Sequence, residues 1–164
     1  MIDAKSLTGI GFLDGLSASD REKLAAICQI VTFKKGDKIF SRGDRGENFY
    51  IVKKGKVNLC FRISVLLADE DVVVDEKEEG DTLGWSALVG PHKLTLSAYC
   101  SVDCELIRME GAQVLSLCGE EHHMGFVLMT NLAKVIASRM DRFQFLFEKE
   151  VERNVPSFEG KSKG

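Results

Sequence analysis

The residue types that could do chemistry gather in one stretch, Gly80-Asp81-Thr82-Leu83-Gly84-Trp85-Ser86-Ala87-Leu88-Val89-Gly90-Pro91-His92-Lys93. An extended run ends at Gly84, one helical turn follows over 85–89, Gly90-Pro91 stops it, and a strand resumes near Leu94. A turn entered this way leaves backbone N–H groups without internal acceptors, and its peptide dipoles favour an anion. His92 and Lys93 follow and add side-chain donors. This is phosphate-cradle logic. The same elbow is also a good way to turn a corner between strands, and the residues alone leave both readings open. The candidate ligand-binding set is Gly84, Trp85, Ser86, Ala87, Leu88, His92 and Lys93.

Other chemistry is weaker. The five cysteines (Cys28, Cys60, Cys100, Cys104, Cys118) are odd in number and form no CxxC. They read as reduced thiols, with Cys100 and Cys104 flanking a turn rather than forming a redox pair or metal site. His122 and His123 are adjacent, and neighbours on a helix point about 100° apart, so one ion would rarely use both. A solvated helix start is expected there. A metal-dependent enzyme on a jelly roll needs two or three inward histidines and a carboxylate. The strand region contains only His92, inside the elbow. No catalytic residue and no metal site are expected.

The elements that must position the elbow follow from periodicity. Residues 1 to about 30 look helical, with Ser17 or Ser19 as N-cap and Leu24, Ile27 and Cys28 on one face. From Val31 to Met109 the period is two, broken by glycine-centred turns. Segments 31–33, 39–40, 49–52, 57–61, 72–74, 95–98 and 106–109 read as strands, and another meets Gly84. Residues 62–71 read as a longer hairpin. About eight short strands joined by such turns give a mainly β fold with flanking helices, a sandwich or jelly-roll β-roll. The 15 glycines against 2 prolines fit that count of turns.

From Glu110 the period is helical. A short helix is expected over 112–118, stopped by Gly119, then a long one from about His123 to Glu152. The stripe Met129, Leu132, Ile136, Met140, Phe143, Phe147 has the spacing of a coiled-coil seam with one stutter. About 28 helical residues span roughly 42 Å. A domain of about 120 residues has a radius of gyration of only about 14 Å. The helix end should project, expose its phenylalanines, and pair with a second copy. One domain over 1–152 and a disordered tail over 153–164 are expected.

The chain has 164 residues, 45% of them hydrophobic and 29% charged, with a formal charge of −3. This is the composition of a folded protein, not of a disordered chain. Mild acidity removes a nucleic-acid footprint, and no apolar run is long enough to span a bilayer. Without a signal segment, a cytoplasmic protein is expected.

The order of elements and the glycine spacing together resemble the cyclic-nucleotide-binding domain, the sensor of the catabolite activator protein and of cyclic-nucleotide-dependent kinases and channels. The resemblance runs from Phe12 to Phe147. It rests on Phe12-Leu13-Asp14-Gly15-Leu16-Ser17, Lys35-Gly36-Asp37, Gly43-Asp44, Tyr50–Val57, and Gly80-Asp81 before the Gly84 cassette. It implies a double-stranded β-helix, or β-roll, of eight strands. It also implies a short helix over a phosphate site and a C-terminal helix serving as lid and dimer seam. The cassette departs from the family pattern. Trp85 stands where a glutamate would hold the ribose hydroxyl, and His92 where an arginine would pair the phosphate. The cassette is also shorter than usual. An indole N–H only donates, and imidazole is mostly uncharged at neutral pH. Two recognition elements of about 1.5–3 kcal/mol each are lost or weakened, so affinity for cyclic AMP or cyclic GMP should fall by about two to four orders of magnitude. Trp85 could plug the site, stack on another ligand's ring, or pack in the core.

The implied function is a regulatory ligand-sensing module, not an enzyme. It would bind a nucleotide or other small anion in the elbow and form a homodimer through the long helix. The competing expectation is a degenerate member that acts as a dimeric interaction or scaffold module. Neither a nucleic acid nor a membrane is an expected partner. DNA-binding relatives carry a helix-turn-helix after the long helix, and only a short polar run follows Glu152 here.

Overall fold

A computed structural model describes residues 2–65 and 68–154. The hairpin tip Leu66-Leu67 and the tail from residue 155 lie outside the described residues. Residues up to Leu132 form one compact unit and those from Ala133 a second.

The first unit opens with two short 3-10 turns, Ala4–Leu7 and Gly11–Leu13, and helix α1 (Ala18–Ile27). Ser17 is the cap, not Ser19. Its hydroxyl accepts from the Asp20 amide at 3.0 Å, and the Asp20 carboxylate accepts from the Ser17 amide at 2.9 Å. Two of the helix's orphan donors are thereby satisfied. Leu24, Ala25 and Cys28 are buried, while Ile27 is only half-buried.

Eight strands follow: β1 (Gln29–Phe33), β2 (Lys38–Phe40), β3 (Asn48–Lys54), β4 (Val57–Val65), β5 (Ala68–Lys77), β6 (Thr82–Leu83), β7 (Ser97–Cys100) and β8 (Cys104–Glu110). They form two antiparallel four-stranded sheets, in the orders β1-β8-β3-β6 and β2-β7-β4-β5. The expected long hairpin is present, with β4 and β5 paired from Val57↔Lys77 to Val65↔Ala68. Alternating residues meet in one core that includes Val52, Val57, Leu59, Leu83, Leu96 and Leu106, with Phe40 and Phe61 half-buried against it. Each such fully buried aliphatic side chain contributes about 1.5–3 kcal/mol.

Helix α2 (Gly111–Glu120) runs through Gly119, where the sequence pattern predicts a stop. It ends instead at Glu121, whose N–H donates to the Leu117 carbonyl at 2.9 Å. Helix α3 (His122–Asn154) starts at once and has 33 residues. Its first three turns bury Met124, Leu128 and Leu132. Asn131 Nδ2 donates to the carbonyls of Phe12 and Asp14, both at 2.9 Å, fixing this part of the helix to the N-terminal turn. His122 is exposed as expected, but His123 is engaged. Its Nδ1 lies 3.2 Å from Asp20 Oδ2 on α1. In the second unit every residue from Met140 to Asn154 is exposed.

Candidate functional site

The elbow is built by the close of β6. Gly84 adopts φ 76°, the left-handed region, and caps the 3-10 turn Trp85–Ala87. Glycine is required there twice. A side chain would be strained at that φ, and its Cβ would lie 2.6 Å from the Asn48 carbonyl on β3. Within the turn the Ala87 amide donates to Gly84 O and the Leu88 amide to Trp85 O, both at 2.9 Å. The amides of Trp85 and Ser86 are the two that such a turn leaves without an internal acceptor.

The set predicted from sequence is brought together, but its members do different things. Ser86, Ala87 and Leu88 are buried and form the frame. Trp85 and His92 are half-buried and Lys93 is exposed. His92 sits at φ 56° and turns back on the elbow, its Nδ1 3.0 Å from the Ser86 carbonyl. A carbonyl only accepts, so Nδ1 carries the proton and Nε2 is left as the free ring nitrogen. The resemblance places a phosphate-facing arginine here, whereas this imidazole is bonded to its own loop.

Lys93 pairs with Arg45 in a short backbone bridge. The β2–β3 loop is joined to the elbow by Gly46 N to His92 O at 2.9 Å and Leu94 N to Asp44 O at 2.9 Å. Behind the elbow lies a cavity of about 380 Å³, bounded by residues 45–48, by Ala87 and His92, and by the start of α2. Sequence reasoning missed Gly46, Asn48 and Gly111 as parts of this frame. Gly46 was visible as a turn residue and Gly111 was not singled out, because nothing local says which segment each must approach.

The thiols are not a second site. All five are free, and Cys28, Cys60, Cys100 and Cys104 are buried. Burial pushes Cys28 up to about 12, and burial with the neighbouring Cys104 pushes Cys100 up to about 12. Such thiols stay protonated and unreactive. Among the described residues no three His, Cys, Asp or Glu side chains form a metal-binding group. No helix among them is long and apolar enough to cross a membrane.

The model of the cyclic nucleotide-binding domain family matches residues 30–121, from the second residue of β1 through β8 and α2, with the elbow inside it. The chain is similar to a cAMP-dependent protein kinase regulatory subunit of Debaryomyces hansenii, 32% identical over 98 residues, or 58% of this chain and 20% of that protein. It thus spans about a fifth of the length of the curated relative. A solved cyclic nucleotide-binding domain from Methylobacillus flagellatus matches with a TM-score of 0.76 at 14% identity, over 94% of this chain and 86% of that one. The regulatory subunit of a cAMP-independent protein kinase A from Trypanosoma cruzi, bound to guanosine, matches with a TM-score of 0.68 at 19% identity, over 92% of this chain and 49% of that one. Both of these likenesses are of fold.

Proposed function

The chain belongs to the cyclic nucleotide-binding domain family, a family of regulatory domains, and from that premise we propose that it is a ligand-sensing module. It takes a nucleotide or another small anion in the Gly84–Lys93 elbow and passes the signal through α3. It acts as a cytoplasmic, non-enzymatic homodimer. The observation that carries this reading is the Gly84-led turn. Its two amides without internal acceptors stand where the family resemblance puts the phosphate. With a formal charge of −3, the chain has no general attraction for an anion, so local donors must hold it.

The dimer seam would use Met129, Ile136, Met140, Phe143 and Phe147. Leu132 is already buried in the single chain at 2% exposure and has no surface left to offer.

Titration calorimetry with cyclic AMP, cyclic GMP, guanosine and inorganic phosphate tests the reading. Saturable heat with a nucleotide or phosphate supports it. Heat with guanosine alone means that stacking, not the anion, drives binding.

A second reading is a degenerate member that binds no nucleotide and serves as a dimeric interaction module. The half-buried Trp85 in the glutamate position and the engaged His92 favour it. Silence across the whole ligand panel would select it. The double variant Trp85→Glu, His92→Arg distinguishes a closed site from a lost one. Gain of cyclic-nucleotide binding by about two to four orders of magnitude is expected if the frame is otherwise intact.

A further inference from the structure

The cavity behind the elbow has features that the family premise does not use. Three separate chain segments form its walls, and they are locked together through backbone. Gly46 N donates to His92 O at 2.9 Å, and Gly111 N donates to Glu47 O at 2.8 Å. The glycines permit this approach. A Cβ at Gly46 would sit 3.0 Å from the Ala87 amide, and one at Gly111 would collide with the Ala87 carbonyl. The frame is therefore preformed, which lowers the cost of ordering a ligand.

Onto this frame the sequence places the exposed side chains of Arg45, Glu47 and Glu110, with Asn48 paired across the ladder to Glu110 and His92 also lining the cavity. Among the described residues no ion pair or side-chain hydrogen bond is made by Arg45, Glu47 or Glu110. In the groove at the β7–β8 turn, Lys34 lies 2.9 Å from Asp103.

The charges narrow the ligand class. Two carboxylates against one guanidinium leave one net negative charge with His92 neutral. A simple anion is disfavoured, and Arg45 disfavours a bare metal cation. A ligand with two cationic groups and one carboxylate matches all three side chains, and Ala87, Ala112 and Leu115 offer apolar wall for an aliphatic stem. We propose that this cavity binds a basic α-amino acid, arginine or lysine, at a site that borders the elbow's anion cradle along Ala87 and His92. Glu47 and Glu110 take the two cationic groups and Arg45 takes the carboxylate. A volume of about 380 Å³ is in the range of small-molecule sites.

Calorimetric titration of the whole chain with L-arginine and L-lysine tests this. Saturable binding is expected with at least one of them at a Kd below about 1 mM. Glu47→Gln and Glu110→Gln should each weaken it by about tenfold or more. Arg45→Gln should weaken arginine but leave agmatine, which lacks the carboxylate, unchanged. Unaltered thermal melting checks that each variant is folded. No saturable heat with either amino acid, or heat that survives both glutamate variants, overturns the proposal. Cyclic AMP titrated into the same preparations reads the elbow separately, so either site can fail without the other.

Discussion

The parts of α3 before and after Leu132 both carry apolar residues, but only the first buries a stripe of them. Up to Leu132 the helix buries Met124, Leu128 and Leu132 and anchors Asn131 to two N-terminal carbonyls. Beyond it, Met140 is 62% exposed and Phe147 69%. The difference teaches that an apolar stripe specifies that something covers it, not what. In the first part the N-terminal segment is one cover, with Asn131 bonded to Phe12 and Asp14 and Gly15 packed at Val127. In the second, the described residues from Met140 to Asn154 are all exposed.

The comparison can be broken most sharply at Leu128. Leu128→Ala should cost about 2–5 kcal/mol by lost burial and a residual cavity, measured by urea denaturation. A cost near zero would mean that the first half is no more embedded than the second. Asn131→Leu comes next. It leaves two carbonyls without their donor and should cost about 1–3 kcal/mol, with faster amide exchange across residues 12–15.

Asp20 sharpens the same contrast through pH. Burial alone would raise its carboxyl, but the Ser17 hydrogen bonds and His123 outweigh it and hold it below the usual carboxylate range. A folded value below the unfolded one stabilises above the unfolded pKa, and that contribution is lost as pH falls through the folded one. Wild type should therefore lose stability on acidification more steeply than Asp20→Asn, read as melting temperature between about pH 5 and pH 2. Equal slopes would remove Asp20 from the set of groups that fix α1 to α3.

The smallest stability effect belongs to the second half. Phe143→Glu should change unfolding free energy of the single chain by no more than about 0.5 kcal/mol. In sedimentation velocity it should convert the proposed dimer to monomer. A wild-type monomer at micromolar concentration would remove the pairing altogether.

Much of the fold was legible because the signals are local. A short apolar run marked β3, alternation marked β4, and Lys54-Gly55-Lys56 marked the tight turn between them. Gly84 was recognisable as the hinge of the elbow from its place between a strand and an apolar turn. Gly119 misled, because a glycine in a helix costs only about 1 kcal/mol and packing carried α2 past it. The direction of His92 was not legible. The resemblance placed it beside a phosphate, but a left-handed backbone and the nearby Ser86 carbonyl turned it elsewhere.

By itself, the sequence determined the mainly β roll, its glycine turns and the presence of a long C-terminal helix, though α3 runs to Asn154 with 33 residues where about 28 ending at Glu152 and a disordered 153–164 were expected. Each of these follows from propensity and period within a few residues. Tertiary structure alone decided that Ser17 and not Ser19 caps α1, that Leu132 faces inward, and that His123 meets Asp20. It also brought Arg45, Glu47 and Glu110 around one cavity. The cavity depends on close approaches between segments far apart in the chain, at Gly46 and Gly111 against Ala87, and a local pattern cannot encode which distant backbone will arrive there.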